Sequence, residues 1–343
     1  MKIKDMCKLL VSGKQPLITV FGDYCLDKYM YIDADRDEMS VETGLTAFQV
    51  VRRKSYAGAA GTIVNNLRAL GAQVYCVGIL GDDGDGFELE RCLKKTGAET
   101  RYMVLTDERS TCTYEKPIRC ERGNETEINR LDIRNFTRTP MPLQERLLEN
   151  LEGAIAASDA VIICDQFAEE DLAAVTAHIR KELGRIAEMH KGVIFYADSR
   201  RFADRFRNCI IKCNEKELAG IFGISHEAVD TETALNYAGQ LYERNRKPVY
   251  VTLGERGSIV YDGYPHRLPA FRVDGPIDVV GAGDAFNAAA VFALAKGAGY
   301  GEAALVGNAA SSIVLRQLRT TGVAKLAEVT ALLEAYAGGR ESI

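Results

Sequence analysis

Asp278-Val279-Val280-Gly281-Ala282-Gly283-Asp284-Ala285-Phe286 joins a loop carrying Gly275 and Pro276 to a run, Ala285 to Ala295, in which Asn287 is the only polar side chain. That pattern reads as a buried helix with a glycine-rich entry. Glycines at 281 and 283 let the backbone turn tightly, so several N–H groups can aim at one point ahead of the first turn, where the positive end of the helix dipole also lies. Such a point favours an anion. Asp284 stands beside it, and the same dipole is expected to hold the carboxylate ionised. Two readings fit these residues equally well. One is an ordinary helix start, with glycine for the turn and aspartate as dipole partner. The other is a phosphoryl-transfer centre, where a carboxylate takes the proton of an attacking hydroxyl while N–H groups hold the charge that develops. A dinucleotide fingerprint fits less well, because the third small residue of G-x-G-x-x-G/A falls on Phe286.

Working outward, short apolar runs end one after another in polar or glycine loops. They are Leu17 to Phe21 before Gly22-Asp23, Ala160 to Cys164 before Asp165, Val193 to Ala197 before Asp198-Ser199-Arg200-Arg201, Cys209 to Cys213 before Asn214, and Val249 to Leu253 before Gly254. Helical patterns separate them, so the chain is expected to form a doubly wound, mostly parallel α/β sheet with helices on both faces and ligands at the strand carboxyl ends. Asn214 with Glu217 makes a capping box, which explains that pair without invoking function. Gly254-Glu255-Arg256-Gly257 is a turn, and no G-x-x-x-x-G-K-[ST] is present. Asp23 and Asp27 could solvate a loop or accept sugar hydroxyls. Residues 28–55 and 111–134 alternate and are rich in charge, with a hairpin turn expected at Gly123-Asn124. Together they are expected to build a four-stranded lid, useful where water must be kept from a reacting phosphate.

The 343 residues carry a net charge of −5, which argues against nucleic acid and membrane surfaces and leaves a small molecule as the expected partner. Nine cysteines at irregular spacing, with no apolar leader, suggest reduced thiols and a cytoplasmic location. No apolar run reaches the ~20 residues needed to span a bilayer. His178, His190, His226 and His266 lack metal-ligand spacing.

Asp278 to Phe286 closely resembles the D-T-x-G-A-G-D signature of the ribokinase-like (PfkB) carbohydrate kinases, with Val279 in place of threonine. The resemblance extends in family order through nearly the whole chain and implies one kinase domain over residues 1–343. It implies that Gly281, Ala282 and Gly283 form the anion hole for the γ-phosphate of ATP and that Asp284 is the catalytic base. Thr252, Gly254 and Gly257 become the nucleotide-phosphate loop, with Asn308 and Ser312 beside the adenine. Asn214 and Glu217 become the Mg²⁺ shell, acting through water, and a monovalent cation such as K⁺ is a further candidate. Asp23, Asp27, Gly58, Ala59, Thr62 and Asp165 are candidates for the acceptor, and Arg130 on the lid for a phosphate already on it. The chain departs from the family at Ala59, where a second glycine is usual, and at Thr62, where an asparagine is usual.

Gly22-Asp23, Leu26-Asp27-Lys28-Tyr29, Asn129-Arg130-Leu131-Asp132 and Ala197-Asp198-Ser199 look most like the kinase domain of heptose-phosphate kinase/ADP-heptose synthase, with no nucleotidyltransferase domain expected here. The expectation is therefore an ATP-dependent kinase acting on a sugar or sugar phosphate, heptose-phosphate-like in preference, with self-association through the lid. The alternatives are a catalytically quiet sugar sensor on the same fold and a nucleoside kinase.

Overall fold

The computed structural model describes residues 1–318 and 320–340. Helix α1 (Ile3–Val11) buries Met6, Cys7 and Leu10 and leads to strand β1 (Leu17–Gly22), buried throughout. Asp23 alone separates β1 from β2 (Tyr24–Asp33). The short pair β3 (Glu38–Met39) and β4 (Thr46–Ala47) precedes β5 (Val50–Ala59), which runs straight into helix α2 (Ala60–Leu70). Then come β6 (Gln73–Val77), β7 (Ile79–Gly81), α3 (Gly84–Lys95) and β8 (Val104–Thr106). Asp83 caps α3 through Gly86 N–H at 2.7 Å and also accepts Thr111 N–H at 2.9 Å, so this acidic loop is architectural.

The next strands are β9 (Thr113–Glu121), β10 (Asn124–Glu127) and β11 (Leu131–Ile133), followed by α4 (Met141–Ile155) and β12 (Ala160–Asp165). Helix α5 (Ala177–Met189), β13 (Ile194–Ser199), β14 (Ile210–Asn214), α6 (Glu215–Phe222) and α7 (Thr231–Asn245) continue the alternation. The chain closes with β15 (Val249–Thr252), β16 (Ser258–Tyr261), β17 (Pro265–Leu268), α8 (Ala282–Ala295), α9 (Tyr300–Val314) and α10 (Leu326–Arg340).

Eight strands form the main sheet in the order β17-β16-β15-β14-β13-β12-β1-β6. Neighbours from β6 to β15 are parallel, and β16 and β17 add antiparallel at one edge. Apolar residues alternate across it. Ile18, Val20, Ile162 and Tyr196 face the side covered by α1, α2, α8, α9 and α10, while Phe21, Val161, Ile163 and Phe195 face α4 and α5. Ile211, Val249 and Val251 pack with α6 and α7. Strand order reverses between β1 and β12, where a crevice opens at the carboxyl ends.

Residues 28–55 and 111–134 build a second sheet, which has five strands where four were expected, β10-β9-β2-β5 with β11 also on β9, together with the separate β3–β4 pair. β2 pairs antiparallel with β5 and parallel with β9. The expected turn is displaced by one residue. Arg122 (φ 50) and Gly123 (φ 81) are its central pair, since a two-residue turn matched to strand twist needs positive φ at both centres and favours glycine at the second.

Candidate active site

Helix α8 starts without a side-chain cap. Gly281 is its N-cap in the left-handed region, φ 81. Asp278 Oδ1 accepts Val280 N–H at 3.0 Å, and Ser311 Oγ on α9 donates to Ala282 O at 2.8 Å, so the entry is fixed from both sides. The N–H groups of Gly281, Gly283 and Asp284 meet no acceptor among the described residues. They are the orphan donors of a helix start, collected on one point. A Cβ on Gly281 would stand 3.4 Å from Thr62 Cγ2, so α2 closes this pocket from behind.

Asp284 is half-buried beside those donors. Burial pushes its pKa up to about 7; Asp198 adds to the rise, Lys212 and Arg200 oppose it, and Asp27 adds to it. The dipole expected to favour the ionised form is therefore opposed by loss of water. A carboxylate balanced near neutrality suits a proton acceptor better than a strongly acidic one.

Asp198 and Lys212, to which the sequence pattern assigns no role, also belong to this centre. The visible signal was a lone lysine inside the apolar run Cys209 to Cys213. The Lys212 ammonium lies 3.3 Å from each Asp198 oxygen. Asn287 Nδ2 donates to Asp198 Oδ2 at 2.5 Å, and Tyr196 Oη donates to Asn287 Oδ1 at 3.1 Å. Burial pulls the lysine down, but Asp198 and Glu217 outweigh it and hold the ammonium protonated.

Of the acidic acceptor candidates, Asp27 is close enough to raise the pKa of Asp284. Asp27 Oδ1 accepts Lys116 Nζ from β9 at 2.7 Å, and its Oδ2 would stand 2.3 Å from a Cβ on Gly58, so glycine there makes room for the carboxylate. Two acidic candidates, Asp23 and Asp165, are corrected, and Arg130 is found paired. Asp23 is buried with one oxygen on Gln166 N–H and the other on Ala174 N–H, both at 2.9 Å; it ties down the loop after β12. Asp165 is buried too, accepting Ser199 Oγ at 2.7 Å with Arg180 at 3.6 Å, and is pushed up to about 8 by burial. Arg130 is exposed and locked on Asp132 by two bonds of 2.6 and 2.7 Å. Thr62 is buried, its methyl turned to Gly281. Ala59 adopts φ 52, ψ −120, a glycine conformation, where the family has glycine.

On the nucleotide side, Thr252 ends β15, and Gly254 (φ 58) and Gly257 (φ 84) shape the turn into β16. A Cβ on Gly257 would meet Leu268 O at 2.1 Å, so only glycine fits. Asn308 Nδ2 donates to Pro269 O at 2.9 Å. Ser312 is corrected as an adenine contact: it is buried, and its hydroxyl bonds Ala309 O of its own helix at 2.8 Å.

Asn214 and Glu217 form the expected capping box, Asn214 Oδ1 accepting the 216 and 217 amides and Glu217 Oε2 accepting Asn214 N–H at 2.8 Å. Glu217 Oε1 remains, 3.8 Å from Arg200. Among the described residues no three His, Cys, Asp or Glu side chains converge as a metal group. That fits a nucleotide-borne Mg²⁺, which takes most of its shell from phosphates and water, with Glu217 able to hold one of the waters. Arg200, Arg201, Asn214, Lys216 and Glu217 line a cavity of about 500 Å³ at this edge. Another cleft, about 590 Å³, lies along α5 between Lys181, Arg185 and Arg207, away from Asp284.

Residues 17–325 match the model described as "pfkB family carbohydrate kinase". A "Bifunctional protein HldE" from a Nitratiruptor species is 28% identical over 323 residues, 93% of this chain and 64% of that protein. The chain thus spans under two thirds of that relative's length. Ribokinase from Arabidopsis thaliana, solved with ribose and ATP, superposes with TM-score 0.67 over 94% of this chain and 99% of that one at 19% identity. Phosphofructokinase-2 from Escherichia coli, solved with substrates and products, gives TM-score 0.69 over 94% and 99% at 16% identity. At these identities the structural likeness speaks to the fold.

Proposed function

We propose, from the premise that this chain belongs to the pfkB family of carbohydrate kinases, that it transfers the γ-phosphoryl group of ATP to a hydroxyl of a sugar or sugar phosphate. The observation that carries this reading is the shared end of α8, where Asp284 lies beside amide donors that no protein group uses. Asp284 accepts the hydroxyl proton, the hydroxyl oxygen forms its bond to the γ-phosphorus, and the bond to ADP breaks. The free N–H groups of Gly281, Gly283 and Asp284 hold the phosphoryl oxygens meanwhile. Asp27, steadied by Lys116, takes acceptor hydroxyls. The nucleotide lies between the 254–257 turn and α9, and Mg²⁺, when bound, neutralises phosphate charge near Glu217.

A heptose phosphate is the favoured acceptor. The likeness to HldE proteins, heptose kinase/ADP-heptose synthases, supports it, as does the Asn129-Arg130-Leu131-Asp132 phrase. The second sheet serves as lid. Exposed Met39, Val41, Leu45 and Phe48 in and around the β3–β4 pair, with Val51 on β5, support self-association through that edge. No helix among the described residues is long and apolar enough to cross a membrane, and the nine unpaired cysteines support a reducing cytoplasm.

Asp284→Asn is expected to keep its melting temperature within a few degrees and to lose at least ~10³-fold in kcat, since general-base and positioning contributions vanish together. ADP release measured over a panel of sugars, sugar phosphates and nucleosides decides it. Comparable turnover in the variant removes Asp284 as base, no turnover in the parent on any acceptor favours a quiet sensor, and a nucleoside preference makes it a nucleoside kinase.

A further inference from the structure

The Lys212 side chain is 4% exposed inside a strand that is otherwise apolar. Burying an ammonium costs several kcal/mol unless its surroundings offset the loss of water. Asp198 and Glu217 supply the compensating charge, but the hydrogen bonds to Asp198 are long. Both Asp198 oxygens stand 3.3 Å from Nζ, well beyond the ~2.8 Å of a strong charge-assisted bond, while Asn287 holds one of them at 2.5 Å. An ammonium carries three protons, and among the described residues Asp198 is the only side chain hydrogen-bonded to this one. Nζ lies 3.7 Å from the place a Cβ on Gly283 would take, and beyond the helix's own neighbouring atoms no other described atom comes within 4 Å of that place. The ammonium thus borders the amide pocket at the start of α8.

We propose that Lys212 is a further catalytic residue, whose ammonium completes the anion pocket of Gly281 to Asp284 and binds the phosphoryl group in transfer. The inference rests on the kinase reading above. A phosphoryl oxygen entering the pocket supplies the acceptor that Asp198 leaves wanting, and the interaction strengthens as charge develops on that oxygen. Asp198, Asn287 and Tyr196 are positioning residues: they set the height of the ammonium and keep it from swinging onto Asp284. The charged groups that face Asp284 are Asp198, Lys212, Arg200 and Asp27. Loss of Lys212 therefore removes one of two cations and makes Asp284 a weaker acid. A side chain at 283 would part the ammonium from the phosphoryl site, which gives that glycine a reason beyond the turn.

The test compares the parent with Lys212→Met and Lys212→Arg, and with Lys212→Met/Asp198→Asn, which removes both buried charges together should the single variant fail to fold. Lys212→Met is expected to lose about 10²–10³-fold in kcat, the scale of one oxyanion donor. Its acceptor KM should move by less than about threefold. The acid limb of kcat/KM should shift to higher pH, and Lys212→Arg should recover at least about tenfold over the methionine variant, since it restores the charge. Calorimetry with Mg²⁺ and without acceptor should show AMP-PNP binding weakened about tenfold and ADP binding unchanged, as only the former presents a γ-phosphoryl. A folded methionine or double variant with an unchanged AMP-PNP to ADP affinity ratio overturns the proposal. A parent that phosphorylates no acceptor overturns the kinase reading instead, while the affinity ratio still decides Lys212.

Discussion

At Asp284 two opposed effects meet. The helix start favours the carboxylate, while desolvation and the neighbouring Asp198 favour the acid and push its pKa up to about 7. A base must be deprotonated to act, so activity is lost as pH falls through that value. The kcat/KM profile is expected to drop about tenfold per unit below about pH 7; a flat profile from 5 to 8 would dismiss this assignment. Ala59 shows strain of a different kind. A non-glycine at φ 52, ψ −120 costs about 1–3 kcal/mol, and glycine gives back about 0.4–1 through its freer unfolded chain. Ala59→Gly is therefore expected to stabilise by about 1 kcal/mol in urea unfolding, and a destabilised variant would contradict the strain argument. The departure from the family at 59 was visible in sequence, but its backbone angle was not.

At the scale of elements, the strand ends were legible because each buried strand is an unbroken apolar run cut off by Gly, Asp or Asn. What each terminal side chain does was not legible. Asp23 and Asp165 read like Asp27, yet both are spent inside the fold while Asp27 faces the small sheet. The turn from β15 to β16 follows the same logic in reverse, since a commonplace Gly-x-x-Gly proves stringent where the backbone of β17 crosses it. Gly257→Ala is expected to cost about 2–4 kcal/mol through strain and the clash with Leu268 O, and to raise KM for ATP more than KM for the acceptor. Thermal unfolding and separate titrations check it; a wild-type melting temperature would show that the turn yields easily.

For the whole molecule, the body is one eight-stranded sheet covered on both faces, and the small sheet is carried on β2 and β5, which leave and re-enter the body at Asp23 and α2. Much of β10 and β11 is exposed, so their amides should exchange with solvent far faster than those of β12 and β13. Adding Mg²⁺, AMP-PNP and an acceptor is expected to slow exchange in the small sheet by closing it. Unchanged protection across 113–133 on binding would count against a lid. The sequence alone determined the α/β alternation, the glycine entry to α8 and the place of Asp284 within it, because apolar periodicity and glycine spacing are local properties of the chain. Only the tertiary structure decided which acids are free, that Lys212 lies beneath the amide pocket, and how far Asp284 is shifted. Those depend on desolvation and on charges brought together from β2, β13, β14 and α8, and no local pattern records such distances.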